Sequence, residues 1–201
     1  MPPTLKPEDS NILAEDFGPS PSQTVGPYFH QGLVLPEDLG GLGNRLFPAQ
    51  TNGRIELRGR VLDADGVSVP DALVEVWQAN AAGHYGDPAG FGRSDTRNFG
   101  HEFVFQTVKP GRVSPDMAPH LQVWLGMRGL LTHLLTRVYF ADEDNGGDAV
   151  LAAVPEARRG TLMAAREESE TGVVYRLDFQ MGGPLETVFF SMPNATPAAT
   201  P

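Results

Sequence analysis

The chain of 201 residues carries a net charge of -10, has a sequence pI near 4.8 and contains no cysteine. The negative charge disfavours a nucleic acid or an anionic membrane as a partner, because like charges repel. The absence of cysteine excludes disulfides and thiolate metal sites, and it is compatible with the reducing cytoplasm that we expect as the compartment. The length fits one domain with extensions.

The two ends of the chain differ in composition from its middle. Residues 1–20 are polar and proline-rich without an apolar signal-peptide stretch, so we expect an N-terminal arm and no export. No apolar run approaches the ~20 residues of a membrane-spanning helix, so we expect a soluble protein. Residues 193–201 are mainly alanine, threonine and proline, which predicts a disordered tail. The predicted domain therefore occupies residues 21–192.

Short alternating segments separated by glycine and proline favour β-strands. Residues 54–63 predict a strand with a bulge near Gly59, followed by an Asp65-Gly66 turn. A helical pattern occurs only over residues 150–165, where we expect Pro155 to open a short helix. The sequence predicts an all-β fold, an antiparallel β-sandwich of about eight strands. Further strands are predicted at residues 69–78, 101–108, 120–125, 131–140, 173–181 and 186–190.

The segment Pro21-Ser-Gln-Thr-Val-Gly-Pro-Tyr28 combines a threonine, a Gly-Pro turn and a tyrosine in a stretch too irregular for a strand. Composition alone favours an ordinary surface turn whose tyrosine covers the core. A functional role for this segment stays open at this point.

His120 and Gln122 lie two residues apart on a predicted strand, so their side chains share one face. A metal site built on such a strand would use His-x-His, and a neutral amide is a poor ligand beside imidazole. These two residues by themselves favour a hydrogen-bonded structural histidine.

Four tyrosines are available as anionic ligands of a ferric ion: Tyr28, Tyr85, Tyr139 and Tyr175. Tyr139 and Tyr175 lie in apolar strand patterns, which favours core packing. Arg128 lies between predicted strands and can pair with a carboxylate, although an arginine in such a turn is usually solvated. The chain has neither a Gly-x-Ser-x-Gly motif nor a glycine-rich phosphate loop, which leaves hydrolase and nucleotide-binding hypotheses without support.

Six segments, taken together and in order, resemble the intradiol ring-cleavage dioxygenases. The resemblance extends from about Pro21 to Phe190, and the closing segment Glu186-Thr-Val-Phe-Phe190 resembles the iron-free alpha-type chain of heteromeric members. The six segments are Pro21-Ser-Gln-Thr-Val-Gly-Pro-Tyr28, Gly59-Arg-Val-Leu-Asp-Ala-Asp-Gly66, Val74-Glu-Val-Trp-Gln-Ala-Asn80, Thr107-Val-Lys-Pro-Gly111, Ala118-Pro-His120 and Thr136-Arg-Val-Tyr-Phe140.

The resembling enzymes cleave a catechol ring between its two hydroxylated carbons, at a ferric ion held by two tyrosinates and two histidines. Here His120 matches one histidine, but Gln122 stands in place of the other, and Val113 stands where a tyrosine follows Lys-Pro-Gly. The loop of the remaining tyrosine, residues 83–93, looks shortened, and Tyr85 is an imperfect substitute. The resemblance therefore implies that Val113, His120 and Gln122 are vestigial positions and that this chain holds no metal.

The resemblance also implies a partner and a role. A homologous beta subunit is expected to bind Fe(III), in a higher oligomer of alpha-beta pairs with an extensive interface. Thr24, Gly26, Pro27, Tyr28 and Arg128 are then expected to line the partner's substrate pocket. The implied reaction is cleavage of protocatechuate with O2 to 3-carboxy-cis,cis-muconate in the beta-ketoadipate pathway, with no catalytic residue in this chain.

Two alternatives remain at this point. In one, Tyr85, Tyr139, His120 and His133 regroup around iron to make a self-sufficient intradiol dioxygenase. In the other, the chain is a non-enzymatic β-sandwich that serves as a binding or assembly module. Iron analysis of the purified chain distinguishes the first, and the absence of a longer homologue encoded nearby favours the second.

Overall fold

The structure is a computed structural model that describes residues 21–34, 43–86, 90–170 and 172–191. The predicted arm at 1–20 and tail at 193–201 lie outside the described residues, so the domain boundaries stay a prediction. None of the helices in the described ranges has the length and apolar composition needed to cross a bilayer.

The fold is built from strands, which confirms the all-β prediction. Two four-residue helices follow the sixth strand, α1 (Ala149–Ala152) and α2 (Glu156–Arg159). Within the described residues there are nine strands: β1 (Arg54–Leu62), β2 (Leu73–Gln78), β3 (Phe91–Asp95), β4 (Glu102–Val108), β5 (His120–Gly126), β6 (Leu134–Phe140), β7 (Met163–Ser169), β8 (Gly172–Arg176) and β9 (Phe179–Gln180).

The strands form one mixed sheet in the order β3-β2-β5-β6-β7-β8-β1-β4, with β9 also beside β1. Most neighbours are antiparallel, as predicted. The pairs β6–β7, β1–β8 and β1–β9 are parallel, which the alternation of single segments did not indicate.

Residues 43–46 bridge the two edge strands, β3 and β4. The backbone N–H of Arg93 on β3 donates to the carbonyl of Gly43 at 3.0 Å, and the N–H of Gln106 on β4 donates to the carbonyl of Asn44 at 2.9 Å. This segment therefore uses the hydrogen-bonding groups of both edges, and the sheet nearly closes on itself.

The predicted bulge near Gly59 is wrong. The β1–β4 register runs without interruption from Arg54 opposite Val108 to Arg60 opposite Glu102. A Cβ atom at Gly59 would lie 1.8 Å from the carbonyl oxygen of Leu177. The glycine is therefore required by the close approach of another backbone and not by a bulge.

The predicted helix over residues 150–165 is correct only in part. Pro155 does precede a short helix, α2, but the chain turns into strand β7 at Met163. Met163 pairs with Tyr139 on β6, so sheet pairing overrides the helical propensity of the alanines and arginines.

The predicted strand at residues 186–190 is also wrong, because this segment is irregular. One backbone contact with the sheet remains, since the N–H of Phe190 donates to the carbonyl of Leu135 at 2.7 Å.

Two strands begin later than predicted. β2 begins at Leu73 and not at residue 69, and β6 begins at Leu134 and not at residue 131. The residues that precede them form turns, and these turns carry Asp71 and Arg128. They form part of the site described below.

Candidate functional site

The alternation of β5 places two sets of side chains on opposite faces. Leu121, Val123 and Leu125 belong to the hydrophobic core. His120 and Gln122 share the other face, as predicted, because side chains two residues apart on a strand point the same way.

His120 is a buried, neutral histidine. Its Nδ1 lies 2.8 Å from the carbonyl oxygen of Ala118, and since a carbonyl only accepts, Nδ1 carries the proton. Its Nε2 is buried and makes no hydrogen bond to the described residues. Burial lowers the pKa of His120, so the ring stays neutral near pH 7.

Gln122 contacts the tyrosine that the resemblance offered as a substitute ligand. Its Nε2 donates to the Tyr85 hydroxyl at 3.4 Å, and the Tyr85 ring lies 4.6 Å from the ring of Trp77, centroid to centroid. Trp77 is opposite Gln122 in the β2–β5 register. Gln122 and Tyr85 are therefore joined by a hydrogen bond at positions where the resemblance implies metal ligands.

Tyr139 belongs to a buried polar network. Its hydroxyl donates to Asp148 Oδ1 at 3.0 Å, and Arg137 Nη1 donates to the same hydroxyl at 3.3 Å. Burial raises the pKa of Tyr139 to about 12. Although burial alone would raise the pKa of Asp148, hydrogen bonds from the N–H groups of Leu151 and Ala118 lower it, so the carboxylate is ionised.

Val113 follows β4 in an exposed loop and carries no oxygen ligand. This loop is held to the turn after β2, because the N–H of Gly111 donates to the carbonyl of Asn80 at 2.9 Å. Across the part of the chain that the structure describes, no three His, Cys, Asp or Glu side chains cluster as metal ligands. The Val113 side chain, the neutral amide of Gln122 and the protonated phenol of Tyr139 do not fit a ferric ion, which prefers anionic oxygens.

A groove opens on this face of the sheet, with a volume of about 410 Å³. Gln122 and Arg137 contribute its polar side, and Trp77 and Trp124 contribute aromatic walls. Gln122 therefore borders a cleft that is accessible from outside the fold.

The second group of predicted residues meets at the loop between β5 and β6. The backbone N–H of Gly129 donates to Thr24 Oγ1 at 2.8 Å, and the N–H of Gly26 lies 3.4 Å from the same oxygen. Phe29 lies beside Trp124 of β5, with ring centroids 6.2 Å apart. The segment of residues 21–28 is therefore folded against the loop that carries Arg128.

Tyr28 does not cover the core, so the surface-turn interpretation was wrong in that respect. Its side chain is 73% exposed, after the Gly26-Pro27 turn in which Gly26 adopts a φ of 77°. Arg128 is also exposed, and its Nε lies 3.3 Å from Asp71 Oδ1. Thr24, Gly26, Pro27 and Tyr28 thus belong to one exposed edge of the fold, which also includes the Arg128 loop.

His133, a member of the alternative ligand set, lies elsewhere on this loop. Its ring stacks on Trp124 with a centroid distance of 5.5 Å, beside a hollow of about 320 Å³. Val25 and Leu131 are exposed at this hollow. In the structure, Tyr139 is hydrogen-bonded to Asp148 and Arg137, and His133 is stacked on Trp124.

Three residues of this region were not predicted from the sequence: Asp71, Arg137 and Asp148. Asp148 had a readable signal, because an aspartate before Ala-Val-Leu-Ala is a typical helix N-cap, and its Oδ1 accepts from the N–H of Leu151 at 2.9 Å. The sequence contains no such signal for Asp71, because its position beside Arg128 depends on the β2–β5 register.

Comparison with known proteins identifies the family. A family model described as Dioxygenase matches residues 25–115. The protocatechuate 3,4-dioxygenase alpha chain of Burkholderia cepacia is 45% identical over 194 residues, covering 86% of this chain and 97% of that protein. The protocatechuate 3,4-dioxygenase beta chain of the same organism is 37% identical over 153 residues, covering 64% of this chain and 65% of that protein.

A solved structure of an intradiol ring-cleavage dioxygenase from Tetranychus urticae has the same fold, with a TM-score of 0.58 at 15% identity. The match covers 84% of this chain and 96% of that one. The chain therefore belongs to the intradiol ring-cleavage dioxygenases, and within them to the protocatechuate 3,4-dioxygenase alpha chains.

Proposed function

We propose that this chain is the non-catalytic, iron-free alpha subunit of a protocatechuate 3,4-dioxygenase and completes the substrate pocket of a homologous beta subunit. The isolated chain is inactive in this proposal. The assembled enzyme cleaves protocatechuate with O2 to 3-carboxy-cis,cis-muconate, at Fe(III) bound by the beta subunit. The chain is 45% identical to an alpha chain, and the match covers 97% of that protein's length, which supports this assignment.

The chemistry of the vestigial positions supports placing the iron in the partner. Val113 offers no donor atom, and Gln122 offers only a neutral amide. The phenol of Tyr139 donates to Asp148 and has a pKa raised to about 12, whereas a tyrosinate ligand must lose its proton. No step of the reaction is therefore assigned to a metal in this chain.

The observation that carries the proposal is the hydrogen bond from Gly129 to Thr24. At 2.8 Å it joins the segment of residues 21–28 to the loop that holds Arg128. Tyr28 and Arg128 are exposed at this edge, together with the apolar side chains of Val25 and Leu131. Polar groups among exposed apolar side chains are typical of a surface that a partner covers.

Each residue at this edge has a proposed task. The guanidinium of Arg128 binds the ring carboxylate of protocatechuate, because a planar fork of N–H donors matches a carboxylate. Tyr28 and Thr24 shape the pocket beside the aromatic ring and exclude water. Gly26 and Pro27 set the turn that directs Tyr28 outward. The ferric ion of the beta subunit supplies the oxygen chemistry.

Co-expression with the beta chain tests this function. The purified assembly should cleave protocatechuate, and this chain purified alone should not. Cleavage by the isolated chain would support the self-sufficient dioxygenase instead. Failure of the two chains to co-purify would support the non-enzymatic β-sandwich module.

A further inference from the structure

We propose that Asp71 is a positioning residue that holds the guanidinium of Arg128 in the orientation that receives the substrate carboxylate. This inference rests on the proposed function of Arg128. Asp71 itself is assigned no contact with substrate or iron. It acts through its ion pair with Arg128, in which Oδ1 and Nε are 3.3 Å apart.

The register of two strands brings the pair together. Leu73 at the start of β2 lies opposite Gly126 at the end of β5. The strands are antiparallel, so the register can be continued two residues before Leu73 and two residues after Gly126. This places Asp71 opposite Arg128. The sheet therefore fixes the spacing between the two backbones, although neither residue belongs to a strand.

The turn that carries Asp71 is fixed by a buried side chain. Thr96 Oγ1 accepts from the N–H of Ala72 at 3.0 Å and donates to the carbonyl of Val69 at 2.7 Å. These two bonds hold the backbone on both sides of Asp71, whose side chain is only 10% exposed. The carboxylate therefore has a defined position before any substrate binds.

The carboxylate also has a reason to bind Arg128. Asp71 Oδ1 is buried and accepts no well-aligned hydrogen bond from the described residues. A buried charge without a partner is costly, so a nearby cation is strongly favoured. Arg128 Nε is the cationic atom at 3.3 Å from this oxygen.

The geometry leaves the outer side of Arg128 free for a ligand. Its side chain is 53% exposed, and Nε is the atom paired with Asp71. The two terminal nitrogens can then bind one carboxylate through parallel hydrogen bonds. The backbone N–H of the next residue, Gly129, is hydrogen-bonded to Thr24, so the loop is anchored directly after Arg128. Without Asp71, the Arg128 side chain would rotate freely until substrate binds. The loss of that freedom on binding would then weaken the binding of substrate.

The test uses Asp71→Asn in the assembled enzyme, because asparagine keeps the shape and removes the charge. We expect the KM for protocatechuate to rise about two- to tenfold with kcat nearly unchanged, and the KM for catechol, which lacks the carboxylate, to stay the same. In an Arg128→Ala background, Asp71→Asn should have no further effect. Thermal unfolding and size-exclusion chromatography of each variant check folding and assembly.

Asp95→Asn is the matched control. Asp95 is also 10% exposed and pairs with an arginine, Arg97, at 2.7 Å. We expect this control to leave the KM for protocatechuate unchanged.

The outcomes separate this inference from the proposed function. If Arg128→Ala raises the KM but Asp71→Asn leaves it unchanged or lowers it, the positioning role is overturned and the placement of Arg128 stands. A rise that appears equally with catechol also overturns the positioning role. If Arg128→Ala leaves the KM unchanged, both the placement of Arg128 and the role of Asp71 fail.

Discussion

Thr24 and Gly129 are 105 residues apart in the chain and are joined by a hydrogen bond of 2.8 Å between the Gly129 N–H and Thr24 Oγ1. This bond joins the segment of residues 21–28 to the β5–β6 loop, and the contact between Phe29 and Trp124 supports the same arrangement. The Thr24 hydroxyl is therefore one link between the two parts of the proposed substrate edge.

Removal of that hydroxyl should loosen the edge without disturbing the core. We expect Thr24→Ala to raise the KM for protocatechuate about two- to tenfold in the assembled enzyme, because one hydrogen bond contributes about 1 kcal/mol. Thr24→Ser keeps the hydroxyl and should remain close to wild type. Equal KM values for the alanine and serine variants would show that the hydroxyl has no such role.

Loss of the Arg128 guanidinium should weaken substrate binding more strongly. We expect Arg128→Ala to raise the KM for protocatechuate about ten- to a hundredfold, because a hydrogen bond to a charged group contributes about 1.5–3 kcal/mol. Steady-state kinetics of the assembled enzyme measure this change. Arg97→Ala is the control, since Arg97 is 44% exposed and also pairs with an aspartate. A similar change in both variants would count against a specific contact with substrate.

Gly59 allows the close packing of β1 against the backbone at Leu177 to be tested. An added Cβ would meet the Leu177 carbonyl oxygen at 1.8 Å and the Phe103 ring at 2.7 Å, so β1 and the backbone at Leu177, which follows β8, must separate. We expect Gly59→Ala to lower the free energy of unfolding by about 1–3 kcal/mol or to prevent folding. Gly160→Ala is the control, because an added Cβ there meets nothing within 4 Å. Equal urea midpoints for the two variants would contradict this packing.

His120 predicts a pH dependence of stability. Burial lowers its pKa below the usual value of 6.5 for a histidine, so around and below that pH the unfolded chain binds more protons than the folded one. The free energy of unfolding should therefore decrease as the pH falls from about 7 to 5. We expect His120→Asn to show a smaller decrease over this range. An unchanged dependence in His120→Asn would contradict a buried, neutral ring.

The predictable parts of the fold are those in which side chains alternate between the two faces of a strand. Alternation places His120 and Gln122 on one face of β5, and the structure keeps them there. β3 was missed because its buried positions are Gly92 and Ser94, which give no hydrophobic alternation. The parallel pairing of β1 with β8 was not predictable from either segment alone, since each alternates in the same way whichever direction its partner runs.

The candidate site was predictable only where it lies within one segment. The resemblance marked Thr24, Tyr28 and Arg128 individually, and the fold supplies the bond that joins the first segment to the Arg128 loop. Asp71 could not be found in this way, because nothing near it in sequence indicates an arginine 57 positions later. Its role depends on a register between two strands, which is a property of the folded sheet.

The most direct measurement is the iron content of each chain after the co-expressed enzyme is separated into its subunits, together with the activity of each chain before and after recombination. We expect iron with the beta chain, essentially none with this chain, and cleavage of protocatechuate only when both are present. Stoichiometric iron, a visible tyrosinate-to-iron absorption and ring cleavage by this chain alone would contradict it.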